Sequence, residues 1–442
     1  MMRDTIFALA TAPGRAAIAV IRVSGPEAGG LLRRLCKMPG PRQAALRTLR
    51  APDGSVLDEA LVLWFPGPAS FTGEDVFELQ LHGGPAIVGV VTETLSALGV
   101  RLAEPGEFTR RAFEAGRMEL SQAEAISDLV DAETEAQRKQ ALAQLGGSVA
   151  RQGEVWRDTL LSALAFLEAQ IDFPDEEIPD DIAKAARVPL QRLAVELDAA
   201  IADVRGERIR DGVRIALLGA PNAGKSSLLN ALVGRDAAIV TAIPGATRDV
   251  IEAPMIVEGY KVLLADMAGI RDASDEVEIE GVRRAKAWAA SADLRLWVVD
   301  PGQGANVEAD ILGLIRSDDM LVLTKADLPA EEIDASTLIK TAPIRASVVS
   351  PHGMDELRTA LAAWIVQAFS GADTPTVTRL RHRLLLVEAR DHLARALARP
   401  ADGAELMAED VRLVARSLER LSGRLDPEAV LDRVFSSFCI GK

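Results

Sequence analysis

With 442 residues, the chain is too long for one ordinary domain and holds enough apolar residue for two or three cores. A formal charge of −15 excludes a generally basic nucleic-acid coat and leaves any RNA contact to a local patch. Two cysteines, Cys36 and Cys439, exclude a disulfide framework and a cysteine-rich zinc site, and suit a reducing compartment.

No stretch approaches the roughly 18 uninterrupted apolar residues of a membrane span, and the segment from Met1 to Ile6 carries an aspartate where a signal peptide is basic. The expectation is a soluble, cytoplasmic protein. Residues 1–118 alternate β-rich runs (17–23, 60–65 and 76–82) with glycine and proline turns and helical segments, which predicts an α/β or α+β domain. Residues 119–210 turn to alanine, leucine, glutamate and arginine at helical spacing, interrupted once at 171–179, where two prolines and four acids force a loop. That loop reads as exposed and acidic, although its residue types also suit a metal site. Residues 211–369 alternate strand and helix as in a doubly wound sheet, and 370–442 return to helix. The economical arrangement is one helical domain built from two segments, with the α/β domain inserted between them.

The inserted domain opens with Gly219-Ala220-Pro221-Asn222-Ala223-Gly224-Lys225-Ser226, which fits G-x-x-x-x-G-K-[ST] between the apolar run 213–218 and a helix beginning near Ser227. This is a phosphate-binding loop: its N–H groups, with those of Ala223, Gly224 and Ser227 at the helix start, approach phosphate, Lys225 bridges the β- and γ-phosphates, and the Ser226 hydroxyl ligates Mg²⁺. The strand 260–266 delivers Asp266 to the metal through water and Gly269 to the γ-phosphate. Thr247, in Pro244-Gly245-Ala246-Thr247-Arg248-Asp249, supplies the second Mg²⁺ hydroxyl. Thr324-Lys325-Ala326-Asp327 follows the apolar strand 320–323, and the Asp327 carboxylate accepts from guanine N1–H and its 2-amino group, which adenine does not offer. The nucleotide is therefore GTP. The usual asparagine of N-K-x-D is Thr324, expected to loosen the loop packing, and Ser347 stands where a serine meets the guanine oxygen.

The residue after Gly269 is Ile270 rather than a glutamine that orients water. Another group must take that role, and Glu278 lies in the charged stretch 271–278, whose acids otherwise read as a solvated face. No arginine finger is evident, so a cation from solution is expected to neutralise the developing charge, with Asn222 a suitable oxygen ligand.

Asp4-Thr5-Ile6, Val20-Ile21-Arg22-Val23-Ser24-Gly25, the block from Phe71 to Pro85, Pro105-Gly106-Glu107-Phe108-Thr109-Arg110-Arg111-Ala112-Phe113 and Phe438-Cys439-Ile440-Gly441-Lys442 together resemble the MnmE (TrmE) family of tRNA modification GTPases. The resemblance spans the whole chain. It implies an N-terminal folate-binding α/β domain that also holds a homodimer, a helical domain in two segments and an inserted Ras-like GTPase domain. The implied activity is that of a GTPase which, with the flavoprotein MnmG, installs an aminomethyl or carboxymethylaminomethyl group on C5 of the wobble uridine of certain tRNAs. The carbon comes from a 5-formyl or 5,10-methylene tetrahydrofolate, and G domains pair across the dimer when K⁺ and GTP are bound.

By the same resemblance, Arg22, Glu78, Arg117 and Lys442 fall at folate-site positions and Glu278 at the glutamate that orients the hydrolytic water. Asn222, Thr241 and Ile243 fall at K⁺ ligands, as does the position of Ala246, where the family's usual threonine hydroxyl is absent. Met267 replaces the usual threonine after Asp266, with little effect expected. Cys439, placed in F-C-I-G-K, is a candidate for assisting one-carbon transfer or uridine activation, whereas Cys36 reads as structural. Among the histidines, His82 is the one expected near the folate site. The competing function is a GTPase switch in ribosome assembly or translation that performs no one-carbon chemistry; folate binding by the N-terminal domain separates the two.

Overall fold

The computed structural model describes residues 4–172, 180–236, 252–267, 276–302, 315–329, 339, 341–350, 352–371, 375–400, 403–423 and 428–441, without the side chains of 180–185, 235–236, 276–282 and 429. The acidic run 173–179, Thr241, Ile243, Ala246, Thr247, Gly269, Lys442 and the side chain of Glu278 lie outside the described residues. Packing divides the chain into two compact units. One comprises Met1–Ser127, Gln144–Val195 and Leu385–Lys442; the other comprises Asp128–Ala143 and Glu196–Leu384. Among the described residues no helix is long and apolar enough to cross a membrane.

In the first unit the chain begins with β1 (Ile6–Leu9), β2 (Ile18–Ser24), α1 (Ala28–Leu35), β3 (Ala45–Arg50), β4 (Val56–Phe65), β5 (Val76–His82), α2 (Pro85–Ala97), β6 (Arg101–Leu102) and α3 (Glu107–Glu114). The strands form one sheet of order β3-β4-β5-β2-β1-β6, antiparallel except for the β1–β6 pair. Period-two alternation sorts its faces. Ile21, Val23, Phe77, Leu79 and Leu81 pack with Leu32 and Leu35 of α1 and Leu95 of α2 in the main core. The opposite face carries Arg22 and Glu78, which are directly paired in the β2–β5 register. A smaller apolar cluster of Ile6, Ala8, Ala103 and Phe108, with Phe71 against it, lies on that side.

The helices that follow are α4 (Leu120–Val130), α5 (Glu135–Leu145), α6 (Ser148–Asp172), α7 (Asp180–Ala202) and α8 (Arg205–Asp211). The expected single interruption is therefore too few. The chain also breaks at 131–134, where Thr134 and Gln137 form a reciprocal cap (Gln137 N–H to Thr134 Oγ1, 3.3 Å; Thr134 N–H to Gln137 Oε1, 3.0 Å) that starts α5. It breaks again at the Gly146-Gly147 pair and at 203–204.

In the second unit β7 (Val213–Leu218), α9 (Lys225–Asp236), β8 (Glu252–Val257), β9 (Tyr260–Asp266), α10 (Glu276–Ser291), β10 (Leu294–Val299), β11 (Met320–Leu323), β12 (Ile344–Arg345) and α11 (Asp355–Phe369) build a sheet of order β12-β11-β10-β7-β9-β8. All of its pairs are parallel except the β8–β9 hairpin at one edge. Strands covered on both faces read as near-continuous apolar runs, and β7 is apolar at every position but Arg214. Val213, Ile215 and Leu217 pack with Leu228 and Leu232 of α9 and Leu361 and Ile365 of α11, while Ala216 and Leu218 pack with Ala285 and Ala289 of α10. The chain continues through α12 (Leu380–Ala398), α13 (Ala404–Glu419) and α14 (Glu428–Phe435). Within the first unit α13 packs along α6, with an Arg412–Glu168 ion pair between them.

Candidate functional site

The turn between β7 and α9 carries the phosphate-loop residues. Gly219 has φ +146°, and a Cβ there would stand 2.0 Å from the Val298 carbonyl oxygen of β10, so no other residue fits without moving a core strand. Asn222 adopts φ +64°, a left-handed conformation that asparagine tolerates, and its side chain is exposed. Lys225 is buried and its Nζ donates to the carbonyls of Gly219 and Ala220, each at 2.8 Å, which holds a cation over the loop. At the start of α9 the Ser226 hydroxyl donates to Asp266 Oδ2 at 2.5 Å, while Asp266 Oδ1 is buried with no hydrogen-bond partner among the described residues. A hydroxyl and a carboxylate with a spare oxygen are hard donors of the kind Mg²⁺ takes, and the pair fits it. Met267 is buried against Ala265, Ala285 and Ala289, where its length fills space beneath α10.

The residues expected to read the base cluster beyond β11. Thr324 is buried, and its hydroxyl lies 2.7 Å from the Ala223 carbonyl and 3.1 Å from that of Val299. The threonine thus ties the phosphate loop to the end of β10. Lys325, at φ +54°, places Nζ 2.6 Å from Asp300 Oδ2, and this neighbour holds the Asp300 carboxyl below its ordinary range. Asp327 is exposed and accepts a 2.5 Å hydrogen bond from the Ser347 hydroxyl, which lowers its pKa. Ser347 in turn is held by its N–H to the Gly353 carbonyl at 2.8 Å. An ionised carboxylate with one oxygen fixed and the other open suits a ligand offering two adjacent N–H donors.

A second polar site lies on the N-terminal sheet. Arg22 Nε and Nη2 both reach Glu78 Oε1, at 2.9 and 2.8 Å, and the guanidinium carbon stands 5.4 Å from the Phe71 ring centroid and 5.8 Å from that of Phe108. Phe71 belongs to a loop fixed from below. Ser24 donates to Glu74 Oε2 and pairs with Thr72, both at 2.7 Å, and Glu74 receives the nearly buried Arg111, which also binds Asp4 and Glu107. Gly73 of the same loop lies under the side chain of Arg117, about where a Cβ would meet Cγ at 3.8 Å.

The tail reaches this neighbourhood as well. The Cys439 carbonyl accepts from Gly106 N–H at 3.4 Å, and Gly441 (φ +99°) passes so close to Leu9 that a Cβ would meet its carbonyl at 2.4 Å. Leu9 follows Ala8, the register partner of Arg22. Cys439 is exposed; Cys36 is half-buried, and burial pushes its thiol pKa up. The donor, acceptor and aromatic groups here fit a polar heteroaromatic ligand such as a folate.

His82 is not brought into that cluster. It sits four residues along β5 from Glu78, roughly 13 Å at strand rise, with Nδ1 2.8 Å from Asp58. Sequence reasoning assigned no role to Asp300, Asp58, Glu74, Arg111, Phe71 or Phe108. Phe71 and Glu74 lie in the F-T-G-E-D block, a signal that was present but unassigned.

Two family profiles match the chain: one described as GTP-binding protein TrmE N-terminus, over residues 5–117, and one described as MnmE helical domain, over residues 120–439. Proteins called tRNA modification GTPase MnmE from Phenylobacterium zucineum and Caulobacter vibrioides are each 56% identical to it over 100% of both chains, and that of Maricaulis maris is 48% identical over the same share. Among solved structures, the G domain of the T. maritima FeoB iron transporter is 28% identical and covers 34% of this chain and 98% of its own, with a TM-score of 0.27. Aquifex aeolicus Era bound to GDP and AlF4⁻ is 22% identical and covers 40% and 66%, with a TM-score of 0.28.

Proposed function

Because this chain belongs to the MnmE (TrmE) family of tRNA modification GTPases, we propose that it hydrolyses GTP to drive modification of the wobble uridine of certain tRNAs. In this reading it works with the flavoprotein MnmG, adding an aminomethyl or carboxymethylaminomethyl group at C5 with a carbon from a 5-formyl or 5,10-methylene tetrahydrofolate. It acts in the cytoplasm as a homodimer. Residues 1–118 serve folate binding and dimerisation, 211–369 the GTPase cycle, and 119–210 with 370–442 the helical domain.

At the nucleotide, Asp327 reads the guanine N1–H and 2-amino group, with Ser347 orienting the carboxylate. Lys225 leaves its loop carbonyls for the β- and γ-phosphates, and loop N–H groups and the α9 N-terminus bind the remaining oxygens. Ser226, Asp266 and Thr247 hold Mg²⁺, Gly269 senses the γ-phosphate, and Asn222, Thr241, Ile243 and the Ala246 position serve K⁺. Bound there, the two cations supply positive charge against that which builds on the phosphate oxygens. Glu278 orients the water whose oxygen attacks the γ-phosphorus; the bond from that phosphorus to the β–γ bridging oxygen breaks, and GDP leaves. In the N-terminal domain Arg22, Glu78, Arg117 and Lys442 bind the folate, with Cys439 at its edge.

The observation that carries this reading beyond a plain GTPase is the paired Arg22 and Glu78 against the rings of Phe71 and Phe108, with Arg117 beside Gly73 of the Phe71 loop. A translation-type switch has no use for such a site. Steady-state GTP hydrolysis in matched KCl and NaCl, with calorimetric titration of 5-formyltetrahydrofolate, tests both halves. We expect K⁺-specific acceleration and a saturable folate isotherm that Arg22→Ala weakens. Equal slow rates in the two salts would remove the K⁺ assignment, and no isotherm in well-folded protein would remove the folate chemistry.

A further inference from the structure

We infer that Phe71 and Phe108 are positioning residues for the folate step, acting through Arg22; this rests on the proposal that Arg22 and Glu78 bind the folate. An arginine on an open sheet face has a long stem with many rotamers, and fixing it on binding costs affinity. Here the freedom is already removed. Glu78 Oε1 takes Nε and Nη2 on one edge of the guanidinium, and the rings of Phe71 and Phe108 lie at 5.4 and 5.8 Å from its central carbon, within the range at which a ring quadrupole attracts a cation. Among the described residues no protein group bonds Arg22 Nη1 or Glu78 Oε2, which leaves one donor and one acceptor for a ligand that, like a pterin, carries both N–H and C=O groups. The rings are held as firmly as the cation. Phe108 is fully buried in the cluster with Ile6 and Ala8, and Phe71 is anchored through its neighbours Thr72 and Glu74 to Ser24 and Arg111. The aromatic pair therefore supplies pre-organisation, and a ring is needed where any apolar side chain would fill the space.

The test uses the full-length protein and 5-formyltetrahydrofolate. Phe71→Leu keeps apolar bulk and removes the quadrupole; we expect its Kd to rise about 3- to 30-fold, the range of a partly desolvated cation–π contact. Phe71→Tyr keeps the ring and restores wild-type affinity. In an Arg22→Gln background Phe71→Leu should add no further loss, because its effect runs through the guanidinium. GTP hydrolysis without folate should be unchanged in Phe71→Leu and Phe71→Tyr. Wild-type affinity in Phe71→Leu, or a full additive loss in the Arg22→Gln background, overturns the inference while leaving the folate reading intact. Absence of folate binding in the wild type, by contrast, removes the reading and this inference with it. Should Phe71→Leu fold poorly, the Arg22 Nε–H resonance in Phe71→Tyr and wild type decides: a ring-current-shifted signal in both is expected, and an unshifted one overturns the stacking.

Discussion

At the scale of single residues, the base-reading carboxylate illustrates how one hydroxyl sets a working range. In the proposed role Asp327 reads guanine only when ionised, and the Ser347 hydroxyl at 2.5 Å stabilises that charged form and lowers its pKa. The sign follows directly: a depressed pKa keeps the acceptor charged as pH falls, and affinity is lost only when pH reaches that lowered value. Removing the hydroxyl with Ser347→Ala lets the pKa climb back towards the usual aspartate value. Fluorescent-nucleotide titrations between about pH 6 and 4 should show the Ser347→Ala affinity curve falling at higher pH than the wild-type curve, whatever the offset between their plateaus. Coincident midpoints would mean that another group protects the carboxylate. Asp327 was legible from its spacing after Lys325. Asp300 was not, because a single aspartate at a strand end carries no signal until folding brings Lys325 within 2.6 Å of it.

At the scale of elements, legibility followed burial. Strands β7, β9 and β11 read correctly to the residue because their sequences are predominantly apolar, interrupted only by Arg214, Lys261 and the terminal Asp266. Strand β1 is only four residues long, and β3 alternates exposed with partly buried residues at a sheet edge, so neither pattern rose above its surroundings. The breaks inside the helical region escaped for a different reason: Thr134 and Gln137 are unremarkable until their side chains cap each other. The loops of the nucleotide site form an element of their own through Thr324. Thr324→Val keeps the shape and deletes the bond to the Ala223 carbonyl, leaving that acceptor unmatched at a cost of about 1–3 kcal/mol. We expect GTP affinity to drop about tenfold, while Thr324→Asn, which offers an amide donor, stays near wild type. Equal affinities for the valine variant and wild type, by isothermal titration, would show that the tether contributes nothing to the bound state.

At the scale of the whole molecule, the N-terminal sheet is completed by chain from the other end of the sequence. The α14 segment packs on α3 through the rings of Phe113, Phe435 and Phe438, and Arg110 reaches Asp432 at 2.7 Å. Beyond it, residues 439–441 run along Gly106 and Leu9. Deleting 439–442 should therefore weaken 5-formyltetrahydrofolate binding at least tenfold, about 1.4 kcal/mol, with GTP turnover in KCl within about twofold of wild type, since Asp327, Lys225 and Ser226 belong to the other compact unit. Unchanged folate affinity would show the tail to be bystander structure. No sequence pattern announces that such distant segments meet; only the motif resemblance pointed to it.

That long-range closure also sets an order of events during synthesis. At ribosomal speeds of about 5–20 residues per second, with N-terminal domains folding first, Gly106 emerges tens of seconds before Cys439 exists to meet it. The sheet must pass that interval with the tail's groove open to chaperones, nascent neighbours and stray ligands. A messenger cut short between Leu102 and Phe438 yields a chain that keeps the strands of the sheet but lacks residues 439–441, so the second site is finished only once that distant segment has been made.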